Sequence, residues 1–322
     1  MSRGALALLL VAGLALGGTA ADAQDELTGT LKKIKDAGGV VLGYRESSFP
    51  FSYLAPGRSK IAAVGEACEE TAPRQEGRAE PACVLGYSID LCREIVDEAA
   101  HELGGAPIRV RYRHVTPEDR IPLLVAGEID LECGSTTNSR ARQKEVAFSP
   151  VIFVTGTKLL VRRADAIRSY LDLAGRTVAV TAGTSNEIAM RKLNERQKLD
   201  WKIVVAPDHD RSFRLLLDER ADAFATDDVL LSGFIARNKA GDLLAVVGDF
   251  LSYDPYGLMF RKDDAAFAAV VESTFARLAG TREILRLYGK WFLDRPPGGE
   301  RLGRPMTPQL EEIFHTIGLP EE

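Results

Sequence analysis

The sequence predicts an α/β protein, and three observations carry that expectation. Short runs rich in Val, Ile and Leu alternate with longer stretches whose apolar residues fall at helical spacing, the pattern of βα units. At 322 residues and 45% hydrophobic composition the chain can bury more than one core. Lys and Arg are scattered through an acidic chain of formal charge -5, leaving no basic stripe for nucleic acid or anionic lipid.

The elements follow in order. Arg3, the small-apolar run Ala5 to Leu16 and Ala21-Asp22-Ala23 read as a signal peptide over residues 1–23, cut after Ala23, with export of the remainder. No later segment approaches the ~20 apolar residues of a membrane span. "GGVVLGY" from Gly38 reads as a strand. "GYSIDLCREIVDEAAHELGG" places Ile89, Cys92, Ile95, Val96, Ala99 and Leu103 on one helical face and closes on two glycines. "IRVRYRHV" alternates as a strand. "TPEDRIPLLVAG" then predicts a helix with Thr116 as N-cap and Pro117 at its first position. "EIDLECG", "TKLLVRR", "RTVAV", "KIVVA", "ADAFAT" and "LLAVVG" are further strands, separated by helical stretches such as "SFRLLLDER" and "DDVLLSGFIARN". A short helix is expected around "PQLEEIFHTIG".

"FSPVIFVTGTKLLV" and "DFLSYDPYGLMFRK" are both extended in pattern and bracket a self-contained βα block of small-domain size. One reading is a chain that crosses to a second lobe near Phe153 and returns near Leu251, so that two strands form a hinge. The other is a simple tandem cut near residue 155.

In an exported chain the even cysteine count suggests bridges. Cys68 and Cys83 flank the polar stretch "CEETAPRQEGRAEPAC" and are the pair expected to clasp it. Cys92 and Cys133 either pair with each other or remain buried thiols.

Unusual polar residues gather where strands end. Arg45 follows "VVLGY", "GSTTNSRAR" follows "IDLEC", "TAGTSNE" follows "RTVAV", His209 follows "KIVVA" and Asp227 follows "DAFA". Open α/β sheets bind ligands at strand carboxyl ends. Guanidinium groups match carboxylates bidentately, hydroxyls and free N–H groups satisfy the remaining lone pairs, and a lone carboxylate suits an ammonium. Singly, each residue has a plain structural alternative. Arg142 reads as a solvated helix arginine, "STT" as a helix cap, Arg45 as a partner of Glu46, Arg120 as part of a charged surface, and His209 in "PDHD" as turn chemistry.

"GYRESSFPFSY", "GYSIDLCREI", "RIPLLVAGEIDLECGSTTNSRARQKEVAFS" and "DLAGRTVAVTAGTSNE" closely resemble the periplasmic amino-acid-binding proteins of ABC importers, solute-binding protein family 3, in their glutamate/aspartate-binding branch. The resemblance spans nearly all of the exported chain. It implies a two-lobed Venus-flytrap fold (periplasmic-binding-protein type II), with two mixed sheets joined by a two-strand hinge. Lobe 1 would comprise residues 24–153 plus 252–322, and lobe 2 residues 154–251. It implies a periplasmic monomer without metal or cofactor that captures L-glutamate or L-aspartate in the interlobe cleft for a membrane permease. In such proteins an arginine matching Arg142 clamps the ligand α-carboxylate, helped by Thr137 and by Thr184 or Ser185. Asp227 matches the carboxylate that receives the ammonium, with Ser135 assisting. Arg45, Arg120 and His209 match the end that reads the distal carboxylate.

Two departures stand out. Pro117 occupies a position where relatives usually carry a small hydroxyl residue, and it offers neither hydroxyl nor N–H. The cysteine-flanked insertion between Tyr53 and Gly86 is longer than the family pattern. By charge count, three arginines and Asp227 complement two carboxylates and one ammonium and leave a site of net positive sign. The opposing class is a dehydratase-like enzyme on the same architecture, and a third is a stand-alone amino-acid sensor. No P-loop, H-E-x-x-H or G-x-S-x-G pattern supports catalysis.

Overall fold

The computed structural model describes residues 27–56, 82–297 and 299–321. The expected signal peptide, Cys68 and most of the insertion lie outside the described residues. Helix α1 (Gly29–Ala37) leads into β1 (Gly39–Tyr44), β2 (Ser47–Ser48), β3 (Ser52–Pro56) and β4 (Ala82–Leu85). Helix α2 (Tyr87–Glu102), β5 (Arg109–His114), α3 (Arg120–Val125), β6 (Leu131–Glu132) and β7 (Val146–Phe148) complete the first block. The chain then crosses through β8 (Phe153–Thr155). The second block holds β9 (Thr157–Arg162), β10 (Thr177–Thr181), α4 (Ser185–Gln197), β11 (Lys202–Ala206), α5 (His209–Leu217), β12 (Ala223–Asp227), α6 (Asp228–Asn238) and β13 (Leu244–Val247). The return runs through β14 (Asp254–Tyr256) and β15 (Met259–Arg261) to α7 (Ala265–Gly280), α8 (Glu283–Tyr288) and α9 (Pro308–Thr316).

Two mixed five-stranded sheets result, in the orders β5-β1-β6-β15-β7 and β11-β10-β12-β9-β13. In the first, β1 runs parallel to β5 and β6 while the returning β15 is antiparallel to β6 and β7. In the second, β10 runs parallel to β11 and β12, and β9 is antiparallel to β12 and β13. Strands β8 and β14 pair with each other in a separate two-stranded sheet, Asp254 opposite Thr155 and Tyr256 opposite Phe153. The tandem reading therefore does not describe this topology, because β15 completes the first sheet after the chain has built the second. Edge strand β5 buries Tyr112 but exposes Arg109, Arg111 and Arg113, which leaves it a charged edge that resists further pairing.

Each sheet has its own core. Helices α1, α2, α7, α8 and α9 bury residues such as Ile34, Ile95, Phe275, Ile284 and Phe314 with Leu42 and Leu131 of the first sheet. The second sheet packs Met190 and Trp201 on one face and Phe213 and Phe234 on the other. The crossing pair is anchored in an aromatic cluster, in which Phe153 stacks on Phe292 at 4.8 Å and Phe51 meets both Phe153 and Tyr256 edge-on at 5.1 and 5.0 Å.

Cys92 of α2 and Cys133, just beyond β6, form a disulfide, which decides between the two readings of that pair. Cys83 is also disulfide-bonded; its expected partner Cys68 lies outside the described residues. The helix expected from Thr116 starts later, at Arg120. Thr116 and Asp119 exchange bonds, each side chain accepting from the other's backbone N–H at 3.2 and 2.7 Å, so residues 117–119 form a capped turn ahead of the regular helix. Among the described residues no helix is long and apolar enough to cross a membrane.

Candidate ligand-binding site

The carboxyl ends of β1, β6, β10, β11 and β12 deliver the polar residues singled out above. Arg45 follows β1 directly, and its backbone N–H is held by the Ser52 hydroxyl at 2.8 Å. Arg120 opens α3, and its Nη1 donates to Thr136 Oγ1, which in turn donates to Glu132 Oε2 at 2.7 Å. Both guanidinium side chains are buried, at 2% exposure. Burial pulls the Arg45 pKa down to about 10, with Arg120 as the next cause, and burial likewise lowers Arg120.

Glu132 was not foreseen. It is fully buried and opposes the downward shift of Arg45, Arg120 and Arg142 alike. Asp254, buried on β14, accepts from Thr137 Oγ1 at 3.1 Å and from the Ser252 hydroxyl. With these two carboxylates beside Asp227, three arginines face three acids, and the net positive site expected from the sequence is corrected to a formally balanced one.

Arg142, the first residue of a short 3-10 turn, is half-buried and spans the two sheets' loops. It donates to Thr137 O at 2.9 Å and to Gly183 O at 3.2 Å. Burial brings its pKa down to about 9, with Arg120 as the second cause. A parallel contact joins Thr137 Oγ1 and Ser185 Oγ at 2.9 Å. Thr184 is committed locally: its hydroxyl caps α4 by accepting from Glu187 N at 3.1 Å and donates to Thr181 O at 2.7 Å.

His209 begins α5, fully buried, with Nδ1 2.9 Å from Thr181 Oγ1. Burial and the charges of Arg45 and Arg120 push its pKa well below the usual value, so the ring is neutral at physiological pH. Asp227 occupies the N-cap position of α6 without capping it. Its carboxylate instead accepts from Tyr256 Oη at 2.6 Å and from Asn186 Nδ2 at 3.1 Å. Burial, then Asp254, raises its pKa to about 7.

Four buried polar atoms in this cluster have no hydrogen-bond partner among the described residues: Arg45 Nη2, Arg120 Nε, Glu132 Oε1 and Ser135 Oγ. Buried polar groups are ordinarily satisfied, so this concentration at strand ends marks a place built to meet another molecule. Beside Arg45 a cleft of about 470 Å³ runs between Thr116 and Pro117 on one wall and Pro207, Asp208 and Arg211 on the other. Pro117 thus lines this cleft, and its carbonyl carbon also lies 3.0 Å from where a Cβ on Gly183 would stand. Asn186, Tyr256, Asp254, Thr136 and Glu132 were missed from the sequence. Only Glu132, an acid ending an apolar strand, carried any local signal. Among the described residues no group of three or more His, Cys, Asp and Glu is arranged to hold a metal ion.

A two-lobed α/β architecture with a polar cluster between two sheets defines a class, the solute-binding proteins. Residues 67–294 match the family described as bacterial extracellular solute-binding proteins, family 3, and the chain belongs to that family. It is 40% identical over 291 residues to the L-glutamate/L-aspartate-binding protein of Pseudomonas aeruginosa, covering 90% of this chain and 89% of that one. It is 38% identical over 310 residues to the glutamate/aspartate import solute-binding protein of Escherichia coli, covering 96% and 94%. Among solved structures, a mutant of ArgBP from T. maritima superposes with a TM-score of 0.65 at 26% identity, covering 82% of this chain and 99% of that one.

Proposed function

We propose that this chain is a periplasmic receptor that captures L-glutamate or L-aspartate between its lobes and presents it to the membrane permease of an ABC importer. The names of the two curated relatives support the ligand class. The observation that carries the reading is the set of unpartnered buried donors at the ends of β1 and α3, Arg45 Nη2 and Arg120 Nε. A carboxylate meets both with two charged accepting oxygens, whereas an amide offers one neutral oxygen and an NH₂ that cannot accept.

The proposed division of roles is supported by where these side chains lie. Lobe 1 comprises residues 24–153 with 252–322, and lobe 2 residues 154–251, with β8 and β14 as the hinge. Arg142 holds the α-carboxylate end with Thr137 and Ser185. Thr184, whose hydroxyl caps α4, contributes its backbone N–H. Asp227 receives the ammonium, with Ser135 assisting. Arg45, Arg120 and neutral His209 read the distal carboxylate. The ligand touches both lobes, so it binds the closed arrangement more tightly and shifts the population towards it. The receptor acts as a monomer without cofactor, and its chemistry is recognition rather than turnover.

Calorimetric titration of the chain from Gln24 onward, unfolded and refolded to remove carried-over ligand, tests this with glutamate, aspartate, glutamine and asparagine. One charge-assisted hydrogen bond is worth roughly 1.5 to 3 kcal/mol, so the acids should bind about 100-fold or more tighter than the amides. Arg142→Ala should abolish binding of all four, and Arg120→Ala should weaken the acids selectively. Equal affinity for glutamate and glutamine, or no heat with any of the four, would overturn the reading.

A further inference from the structure

Among the described residues the fully buried Glu132 makes no ion pair, and its Oε1 has no hydrogen-bond partner. A carboxylate desolvated in this way costs stability unless nearby charge compensates it. The compensation is through space. Glu132 lies on β6, in register with Gly43 of β1 and Met259 of β15, and raises the pKa of Arg45, Arg120 and Arg142 against their burial. Thr136 ties it to Arg120 by two consecutive hydrogen bonds. Gly134 makes room: a Cβ there would fall 2.3 Å from Glu132 Oε1 and 2.9 Å from Arg45 Cγ. The carboxylate and the Arg45 stem therefore share space that any larger residue would fill.

We propose that Glu132 is a specificity-determining positioning residue: it cancels one of the two guanidinium charges at the Arg45–Arg120 end, so that this end accepts a singly charged carboxylate and rejects a doubly charged group such as a phosphate monoester. Two arginines and one glutamate leave a single positive charge there, which matches a distal carboxylate. Without Glu132 the end carries two positive charges and matches a dianion. This inference rests on the assignment of Arg45 and Arg120 to the distal group.

The test is titration of wild type and Glu132→Gln with glutamate, glutamine and O-phosphoserine at pH 8, where the phosphate carries close to two negative charges. Glutamate should be strongly preferred over O-phosphoserine by the wild type. In Glu132→Gln the ratio of O-phosphoserine to glutamate affinity should rise by about tenfold or more, because a unit charge several ångströms away at a protein-like effective dielectric is worth at least that factor. The glutamate-to-glutamine ratio should rise with it, and Glu132→Asp, which keeps the charge, should keep the wild-type ratios even where its shorter side chain loses the Thr136 bond. Equal loss of all three ligands, or unchanged ratios, would reduce Glu132 to a structural role and overturn the proposal.

The double variant Arg45→Gln/Glu132→Gln restores a single positive charge and guards against a Glu132→Gln chain that does not fold. It should recover the preference for glutamate over glutamine that Arg45→Gln alone loses; a double variant as unselective as Arg45→Gln would also overturn the proposal. A wild type that binds neither acid nor phosphate refutes the receptor reading itself, whereas a wild type that binds acids with ratios unmoved by Glu132→Gln refutes only this inference.

Discussion

Asp227 concentrates the tension between stability and recognition, and Asp227→Asn separates the two. The carboxylate is 3% exposed, accepts two neutral donors, and is raised to about 7 by burial and by Asp254. In the unfolded chain it would ionise near 3.8. The folded protein therefore holds the proton over a window in which the unfolded chain has lost it, and stability falls as pH rises from about 4 to about 7. At 1.36 kcal/mol per pH unit the loss amounts to roughly 1.6 kcal/mol at pH 5 and roughly 4 kcal/mol at pH 8. Asparagine does not titrate. Its amide can accept from Tyr256 but turns an NH₂ group towards Asn186, a mismatch of about 1 to 3 kcal/mol that does not vary with pH. Urea unfolding of ligand-stripped wild type and Asp227→Asn should thus shift in favour of the variant by roughly 3 kcal/mol between pH 5 and pH 8. Affinity for glutamate should fall about 10- to 100-fold in the same variant, since the ammonium loses its charged acceptor. A stability difference that is the same at both pH values, or undiminished glutamate binding, would refute the reasoning.

Two further outcomes are expected. The Cys92–Cys133 bridge spans a sequence separation of 41, for which loop-closure entropy predicts a loss of about 4 kcal/mol in Cys92→Ala/Cys133→Ala, measured by urea unfolding; a loss under about 1 kcal/mol would contradict that account. Gly183 has φ +70, and a Cβ there would lie 2.9 Å from Glu118 Cγ and 3.0 Å from the Glu118 backbone nitrogen. Gly183→Ala should therefore hinder the approach of the two lobes and weaken glutamate and glutamine by a similar factor of about ten. Unchanged affinities by calorimetry would show that this contact does not limit closure.

How much was legible depended on whether the signal was local. Helix α2 announced itself because Ile89, Cys92, Ile95, Val96 and Ala99 all fall on one buried face. β10 read as a strand because an apolar run in a parallel sheet is buried throughout its middle, as Val178, Ala179 and Val180 are. The start of α3 was misplaced because Thr116 does cap, but it caps a turn. The site's charge balance was illegible for a different reason. Asp254 and Tyr256 stand on the return strand, more than 100 residues from Thr137, and only the β14–β8 pairing and the Thr137–Tyr256 bridge bring them there. Asn186 follows the expected Thr184 and Ser185, yet its role comes from bonds to Thr157 and Asp227, 29 and 41 residues away. Spacing rules report faces of elements; they do not report which acid a crossover will lay beside which arginine.

Under the proposed function that crossover couples ligand binding to the approach of the two lobes. From Thr137 in the first lobe, hydrogen bonds run to Asp254, on to Ser252 and Thr157, then through Asn186 to Asp227, and Tyr256 closes the circuit on the other Asp227 oxygen. Tyr256 and Phe153 are themselves packed in the aromatic cluster that anchors the hinge strands. A group placed between Arg142 and Asp227 therefore meets residues whose positions depend on the same strand pair that joins the lobes. The two sheets' loops also meet directly where Thr137 bonds Ser185 and Arg142 bonds Gly183. Under the proposed function the free energy of ligand contact and that of lobe approach are linked quantities, and a substitution in this ring, such as at Asn186 or Ser252, should change glutamate affinity in a titration without altering Arg45, Arg120 or Arg142.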